Sequence, residues 1–163
     1  MLIRTARQSD LPQLLTIYND EVVNAVSTLD LTPRTRAEWQ AWFDRHNVEN
    51  HPLRVAEIDD CVAGYGSLSS YREKEAFRST VELSVYVSPT FRRRGVASAL
   101  MADLLALARE DERTHAVVSV ITAGNEASRR LHEKFGFVFC GRIPEVGMKF
   151  GRYQDIENHW LRV

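Results

Sequence analysis

The sequence predicts an α/β domain, a mixed β-sheet with about four helices packed on it. Strand-length runs such as "TVELSVYVS" (80–88) and "AVVSVITA" (116–123) alternate with segments whose apolar residues recur at helical spacing. No repeat or Gly/Ser/Pro-rich linker interrupts the 163 residues, so one domain over 1–163 is expected. The segment "SVYVSPTFRRRGVASALM" (84–101) passes from strand to helix through a turn with three arginines and a glycine.

"LIRTA" (2–6) reads as a first strand. Ser9 or Asp10 can cap a helix to about Ala25, with Pro12 tolerated in its first turn and Leu11, Leu14, Leu15 and Tyr18 on one face. Thr35 and Glu38 have capping-box spacing ahead of "WQAWF", predicting a second helix to about His46. Trp39, Trp42 and Phe43 share a face of that helix and are expected in the core. "LRVAEI" (53–58) and "CVAGYGSLSSY" (61–71) predict a hairpin turning at Asp59-Asp60. After the polar "REKEAFRS" comes the strand at 80–88. Val96, Leu100, Leu104, Leu107 and Ala108 form the apolar stripe of a helix to about Arg109. The strand at 116–123 precedes a helix from Glu126 to Phe135, with Asn125 as N-cap and Gly136 as its stop. "FVFCGR" and "YQDIENHWLRV" supply the last strands.

Composition narrows the function classes. The chain is 44% apolar and 26% charged with a formal net charge of −1, so overall basicity points to neither nucleic acid nor an anionic membrane. Cys61 and Cys140 lie far apart and form no CxxC or Cys/His cluster. They are expected as two small core residues in a reducing compartment, with no disulfide or metal site. Apolar runs are strand-sized, and "MLIRTARQSD" has no apolar stretch of signal-peptide length. A cytoplasmic protein is the expectation.

The arginine turn calls for a ligand. A helix N-terminus carries unpaired N–H groups and a positive partial charge, so Arg92, Arg93 and Arg94 beside it are unfavourable unless an anion uses both. Gly95 removes a side chain where a phosphate would approach the backbone. The segment matches neither GxGxxG nor GxxxxGK[ST], and a solvated charged turn is the competing reading.

The run Arg92-Arg93-Arg94-Gly95-Val96-Ala97 resembles the R/Q-x-x-G-x-G/A acyl-CoA signature of the GCN5-related N-acetyltransferase superfamily, with Ala97 where many members carry a second glycine. Four fragments in order, "IYNDEVV", "TVELSVYV", "NEASRRLHEKFGF" and "EVGMKFGRYQD", resemble its phosphinothricin/methionine sulfoximine acetyltransferase branch. The resemblance spans the whole chain. It implies a mostly antiparallel mixed twisted sheet, with acetyl-CoA as co-substrate at a splay between the fourth and fifth strands. It further implies a small-molecule amine acceptor, no metal, and a homodimer.

The same resemblance assigns roles. Backbone groups of Val85, Tyr86 and Val87 would hold the pantetheine arm. Arg92 to Gly95, with Val96, Ala97 and Ser98, would hold the pyrophosphate. Glu82 stands at the general-base position, and burial would raise its pKa usefully. A structural carboxylate paired with Arg78 is the alternative. The Val85 N–H is the candidate oxyanion donor. Asn125-x-x-Ser128-x-x-x-His132 resembles the motif N-x-x-[AS]-x-x-x-Y, making Asn125 and Ser128 cofactor contacts and His132 a candidate acid for the leaving thiolate. A satisfied core histidine is the competing reading. Phe77 and Arg78 would contact the acceptor, and Lys149 and Phe150 would shape its pocket, across a dimer interface. Arg129 and Arg130 read as a solvated helix face, with a contact to the cofactor's 3′-phosphate as the other reading. No Cys or Ser occupies a nucleophile motif, so direct attack in a ternary complex is expected. A protein N-terminus, lysine or polyamine acceptor, or a non-catalytic acyl-CoA-binding module, are the alternatives.

Overall fold

The structure, a computed structural model, describes residues 1–163. Seven strands form one sheet: β1 (Leu2–Thr5), β2 (Leu53–Ile58), β3 (Cys61–Ser70), β4 (Thr80–Val87), β5 (Ala116–Thr122), β6 (Val138–Lys149) and β7 (Arg152–Arg162), in the order β1-β2-β3-β4-β5-β7-β6. Every neighbouring pair is antiparallel except β4–β5, which is parallel. Four helices accompany it: α1 (Leu11–Asn24), α2 (Arg36–Phe43), α3 (Val96–Glu110) and α4 (Glu126–Lys134).

Alternation along the strands splits the core between two faces. Leu53, Val55 and Tyr65 pack with Leu11, Leu14 and Ile17 of α1 and Trp39 of α2. Leu68, Val81, Leu83 and Val117 pack against Met101, Leu104 and Leu105 of α3, with Leu131 of α4 alongside. Helix α3 lies close because Gly66 has no side chain: a Cβ there would sit 2.7 Å from Leu104 Cδ1. That close seating fixes where the α3 N-terminus, and so the arginine turn, meets the sheet.

Thr35 caps α2 as the capping-box spacing predicts, its Oγ1 accepting from the Glu38 N–H at 3.3 Å while its own N–H donates to Glu38 at 2.8 Å. Before α1 the chain first makes a 3-10 turn at Gln8–Asp10. The Asp10 carboxylate accepts from the Arg7 N–H and from Arg4 and does not cap α1. Strand β6 runs to Lys149, well beyond "FVFCGR". Gly141, Pro144 and Gly147 break its alternation, and irregular register after Phe139 and Ile143 absorbs the break.

The cysteine expectation is corrected. Cys61 and Cys140 are both exposed. Cys61 opens β3 beside the Asp59-Asp60 turn, and Cys140 lies in the outermost strand, where little packs over it.

Candidate active site

Strands β4 and β5 begin as paired neighbours and then separate. Their register runs Thr80↔Ala116, Val81↔Val117 and Glu82↔Val118, and stops. Strand β4 stays paired with β3 as far as Val87, and β5 stays paired with β7 as far as Thr122. Beyond Glu82 the facing edges therefore hold backbone groups that no strand satisfies, a ready binding edge for an extended amide-bearing ligand.

Two clefts meet at this splay. One, of about 580 Å³, lies on the α3/α4 side, lined by Val85, Val87, Ala97, Asn125, Ser128 and His132 among others, and reaches Arg92. The other, of about 680 Å³, opens on the α1/α2 side and is lined by Glu82, Ser69, Arg45 and the aromatic rings of Tyr18, Trp39 and Trp42. They share Ser27, Ser84, Tyr86, Val120 and Thr122 as a common wall. The segment following α1 straps this wall: Thr122 donates to Val26 O at 2.6 Å, Lys149 Nζ to Thr28 O at 2.7 Å, and the Tyr18 hydroxyl to Asp30 at 2.6 Å.

The arginine turn closes one end of the first cleft. Gly95 is the N-terminal residue flanking α3, at φ 79° and ψ 3°, and no side chain caps the helix. A Cβ at Gly95 would meet nothing within 4 Å, so the approach to the first N–H groups, those of Val96, Ala97 and Ser98, is open. Arg93 and Arg94 form no ion pair, and the Arg94 guanidinium lies 5.3 Å from the centre of the Phe91 ring. Lys134, from α4, reaches Ser98 Oγ at 3.2 Å and adds a third cation that the linear sequence does not associate with the turn. Arg92 behaves differently, since it pairs with the buried Glu21, which also accepts from Ser27. Free cations, an uncapped helix end and an open glycine fit a pyrophosphate. With the unpaired strand edge beyond, the residues present suit coenzyme A.

Glu82 sits at the last paired position of the splay and faces the second cleft. It makes no hydrogen bond or ion pair with another side chain, and burial alone pushes its pKa up. Arg78 does not pair with it. It pairs with Glu75 on the surface, and neither Phe77 nor Arg78 lines either cleft. Lys149 is buried under the strap, and Phe150 is exposed. Arg129 pairs with Glu126 and Glu133 on the surface of α4.

His132 is buried, and both its nitrogens are engaged. Nδ1 lies 2.8 Å from the Ser128 carbonyl, which can only accept, so Nδ1 carries the proton. Nε2 then accepts from the Ser119 hydroxyl at 2.9 Å. Burial holds its pKa below the usual histidine range, which keeps the ring neutral. Asn125 caps α4 through the Ser128 N–H at 3.1 Å.

Sequence reasoning missed Ser69, Arg45, Tyr18 and Ser119 as cleft residues. It placed Trp39 and Trp42 in the core, and they are both core and wall: their rings stack at 4.4 Å, Trp39 buried and Trp42 half-buried. A period-2 count on β3, with Ser67 and Ser69 on the Tyr65 face, is the one signal available in the sequence. No helix is long and apolar enough to cross a membrane, and no three His, Cys, Asp or Glu side chains are grouped to hold a metal ion.

Comparison with known proteins agrees with this geometry. A family model described as acetyltransferase (GNAT) family matches residues 11–137. An L-methionine sulfoximine/L-methionine sulfone acetyltransferase of Pseudomonas aeruginosa is 42% identical over 155 residues, 94% of this chain and 90% of that one. A ribosomal-protein-alanine N-acetyltransferase structure from Brucella melitensis is 39% identical, with a TM-score of 0.96 over 100% of both chains. A phosphinothricin acetyltransferase from Sinorhizobium meliloti, solved in complex with acetyl-CoA, is 30% identical with a TM-score of 0.94, covering 99% of this chain and 88% of that one. On the matched family model and these relatives, the chain belongs to the acetyltransferase (GNAT) family.

Proposed function

We propose that residues 1–163 form one cytoplasmic catalytic domain that transfers the acetyl group of acetyl-CoA to the α-amine of a small amino-acid-like acceptor, of the methionine sulfoximine, methionine sulfone or phosphinothricin kind. The observation that carries the reading is Glu82, an unpartnered, half-buried carboxylate facing the second cleft where β4 and β5 part. Acetyl-CoA supplies an activated acetyl thioester. Glu82 takes the proton of the acceptor ammonium, and its raised pKa brings it closer to the working pH than an ordinary carboxylate. The Val85 N–H, on the unpaired stretch of β4, would face the acetyl carbonyl oxygen. His132, neutral with its proton on Nδ1, holds the Ser119 hydroxyl. It can protonate the leaving thiolate only when itself protonated, its Nε2–H then donating to Ser119 and the Ser119 O–H turning to the sulfur.

Arg45 lines the acceptor cleft without a carboxylate partner, which favours an acceptor bearing a carboxylate over a polyamine. Arg78 would join it only by leaving Glu75, with Phe77 moving inward alongside. Val138, Phe139, Ile143, Val146, Met148 and Phe150 leave β6 and its turn exposed and apolar, which supports a homodimer through this edge. The competing acceptor is a protein N-terminus; the Brucella relative is named for a ribosomal-protein alanine.

Thiol release from acetyl-CoA across methionine sulfone, methionine sulfoximine, phosphinothricin, spermidine, a lysine peptide and an alanine-initiated peptide tests the reading. Turnover concentrated on the first three supports it. Turnover on the alanine peptide alone moves the acceptor to protein.

A further inference from the structure

On the acceptor side, Ser69 stands beside Glu82 and is held from behind by His46, in a geometry that fixes the protons of the His46–Ser69 pair. His46 is buried, just beyond the end of α2. Its Nδ1 lies 2.8 Å from the Trp42 carbonyl, four residues earlier, and a carbonyl only accepts, so Nδ1 carries the hydrogen. Burial lowers its pKa to about 4, which leaves the ring neutral and Nε2 a bare acceptor. Ser69 Oγ lies 2.8 Å from that Nε2 and must therefore donate its only proton to it. What Ser69 then presents to the cleft is lone pairs alone.

Ser69 stands directly opposite Glu82 in the β3–β4 ladder, and both side chains line the acceptor cleft. Directly opposed residues of an antiparallel pair have Cβ atoms about 5 Å apart, close enough for one small group to bridge their side chains. Glu82 has no partner of its own. A group that bridges both must offer a hydrogen to each, as an ammonium does.

We infer that Ser69 is a second ligand of the acceptor's amine, fixed as a pure hydrogen-bond acceptor by His46, which acts as a positioning residue. This rests on the acetyltransferase reading above. One N–H of the ammonium points to Ser69 Oγ and another to Glu82. Glu82 takes that second proton, and the freed nitrogen lone pair forms the bond to the acetyl carbon. The nitrogen, now bonded to carbon, sheds one further proton as the carbon–sulfur bond breaks, and the leaving thiolate takes up a proton to depart as the thiol, so the amide is left neutral and Glu82 protonated. The held N–H limits rotation of the amine, so the lone pair is aimed at the splay.

The test is steady-state kinetics with methionine sulfone as the varied acceptor, for wild type, Ser69→Ala, Ser69→Thr and His46→Gln. Ser69→Ala is expected to raise the acceptor KM about tenfold, the range for one hydrogen bond to a charged group, with the acetyl-CoA KM unmoved. Ser69→Thr restores most of the loss, because it keeps the hydroxyl. His46→Gln, whose Oε1 can still accept from Ser69, falls between. A Ser69→Ala enzyme with unaltered acceptor KM and kcat overturns the inference, as does equal damage to both substrates' KM values. Imidazole ¹⁵N spectra of the free protein read the pair without any acceptor. They should show neutral His46 protonated on Nδ1, with its Nε2 resonance shifting in Ser69→Ala. An unshifted Nε2 overturns the positioning. If wild type acetylates none of the amines tried, the acetyltransferase reading fails by itself, and these spectra alone decide whether His46 holds Ser69.

Discussion

Glu82 is a carboxylate the fold keeps away from cations, and that isolation has two measurable consequences. As the proposed base it must be deprotonated, so kcat/KM should rise with pH through a value above the ordinary carboxylate range. Glu82→Gln should lower kcat/KM by about 10²–10⁴-fold, the span of general-base catalysis, and remove that rising limb. The second consequence is for stability. A group whose pKa is raised in the folded state favours folding below its unfolded pKa and loses that contribution as pH climbs through the folded value. At neutral pH the ionised, half-buried Glu82 is therefore a burden, and Glu82→Gln should raise Tm at pH 7 with little change near pH 4. His46 runs in the opposite sense: its pKa is lowered from 6.5 to about 4, so its stabilisation is present above 6.5 and lost as pH falls through about 4. A His46→Gln variant should show a shallower loss of Tm over that interval. That Glu82 lies on the opposite face from Val81 and Leu83 was legible from alternation on a strong strand, while its role as base is what the family resemblance implies. Ser69 and His46 were not legible, because their meeting depends on the β3–β4 register and on where α2 ends.

Among the elements, the turn into α3 shows most plainly how sequence becomes site. Three arginines and a glycine announced an anion, and the fold keeps Arg93, Arg94 and an uncapped helix end available for one. Arg92 is diverted to Glu21, a pairing 71 residues distant in the chain that no local pattern reveals. Lys134, which reaches Ser98 from α4, is equally invisible to a local pattern. Gly95→Ala should destabilise the protein by about 1 kcal/mol through its left-handed backbone and raise the KM for acetyl-CoA, leaving the acceptor KM unaltered. Denaturant unfolding and two-substrate kinetics read the two effects separately. Thr35→Ala removes a cap the sequence identified outright and should cost about 1 kcal/mol. The extent of β6 escaped the sequence because Gly141, Pro144 and Gly147 look like strand breakers, whereas the strand bulges around them.

At the scale of the whole molecule, the parting of β4 and β5 organises everything else. It joins the cleft on the α3/α4 face of the sheet to the cleft on the α1/α2 face, with Glu82 lining the second where the two strands part. The α/β class and nearly all elements were readable from periodicity and caps. Strand order, and the insertion of β7 between β5 and β6, depend on long-range pairing and were not. The exposed apolar edge of β6 belongs to this scale too. Ile143→Asp with Val146→Asp should convert a dimer to a monomer in analytical ultracentrifugation, and a wild type already monomeric at high concentration would remove the dimer from the account. The most direct test of the central claim is mass-spectrometric detection of N-acetyl methionine sulfone formed from acetyl-CoA by wild type and by Glu82→Gln. The account predicts rapid product formation by wild type and a loss of at least a hundredfold in the variant. Equal rates in the two proteins, or no acetylated amino-acid analogue at all, would contradict it.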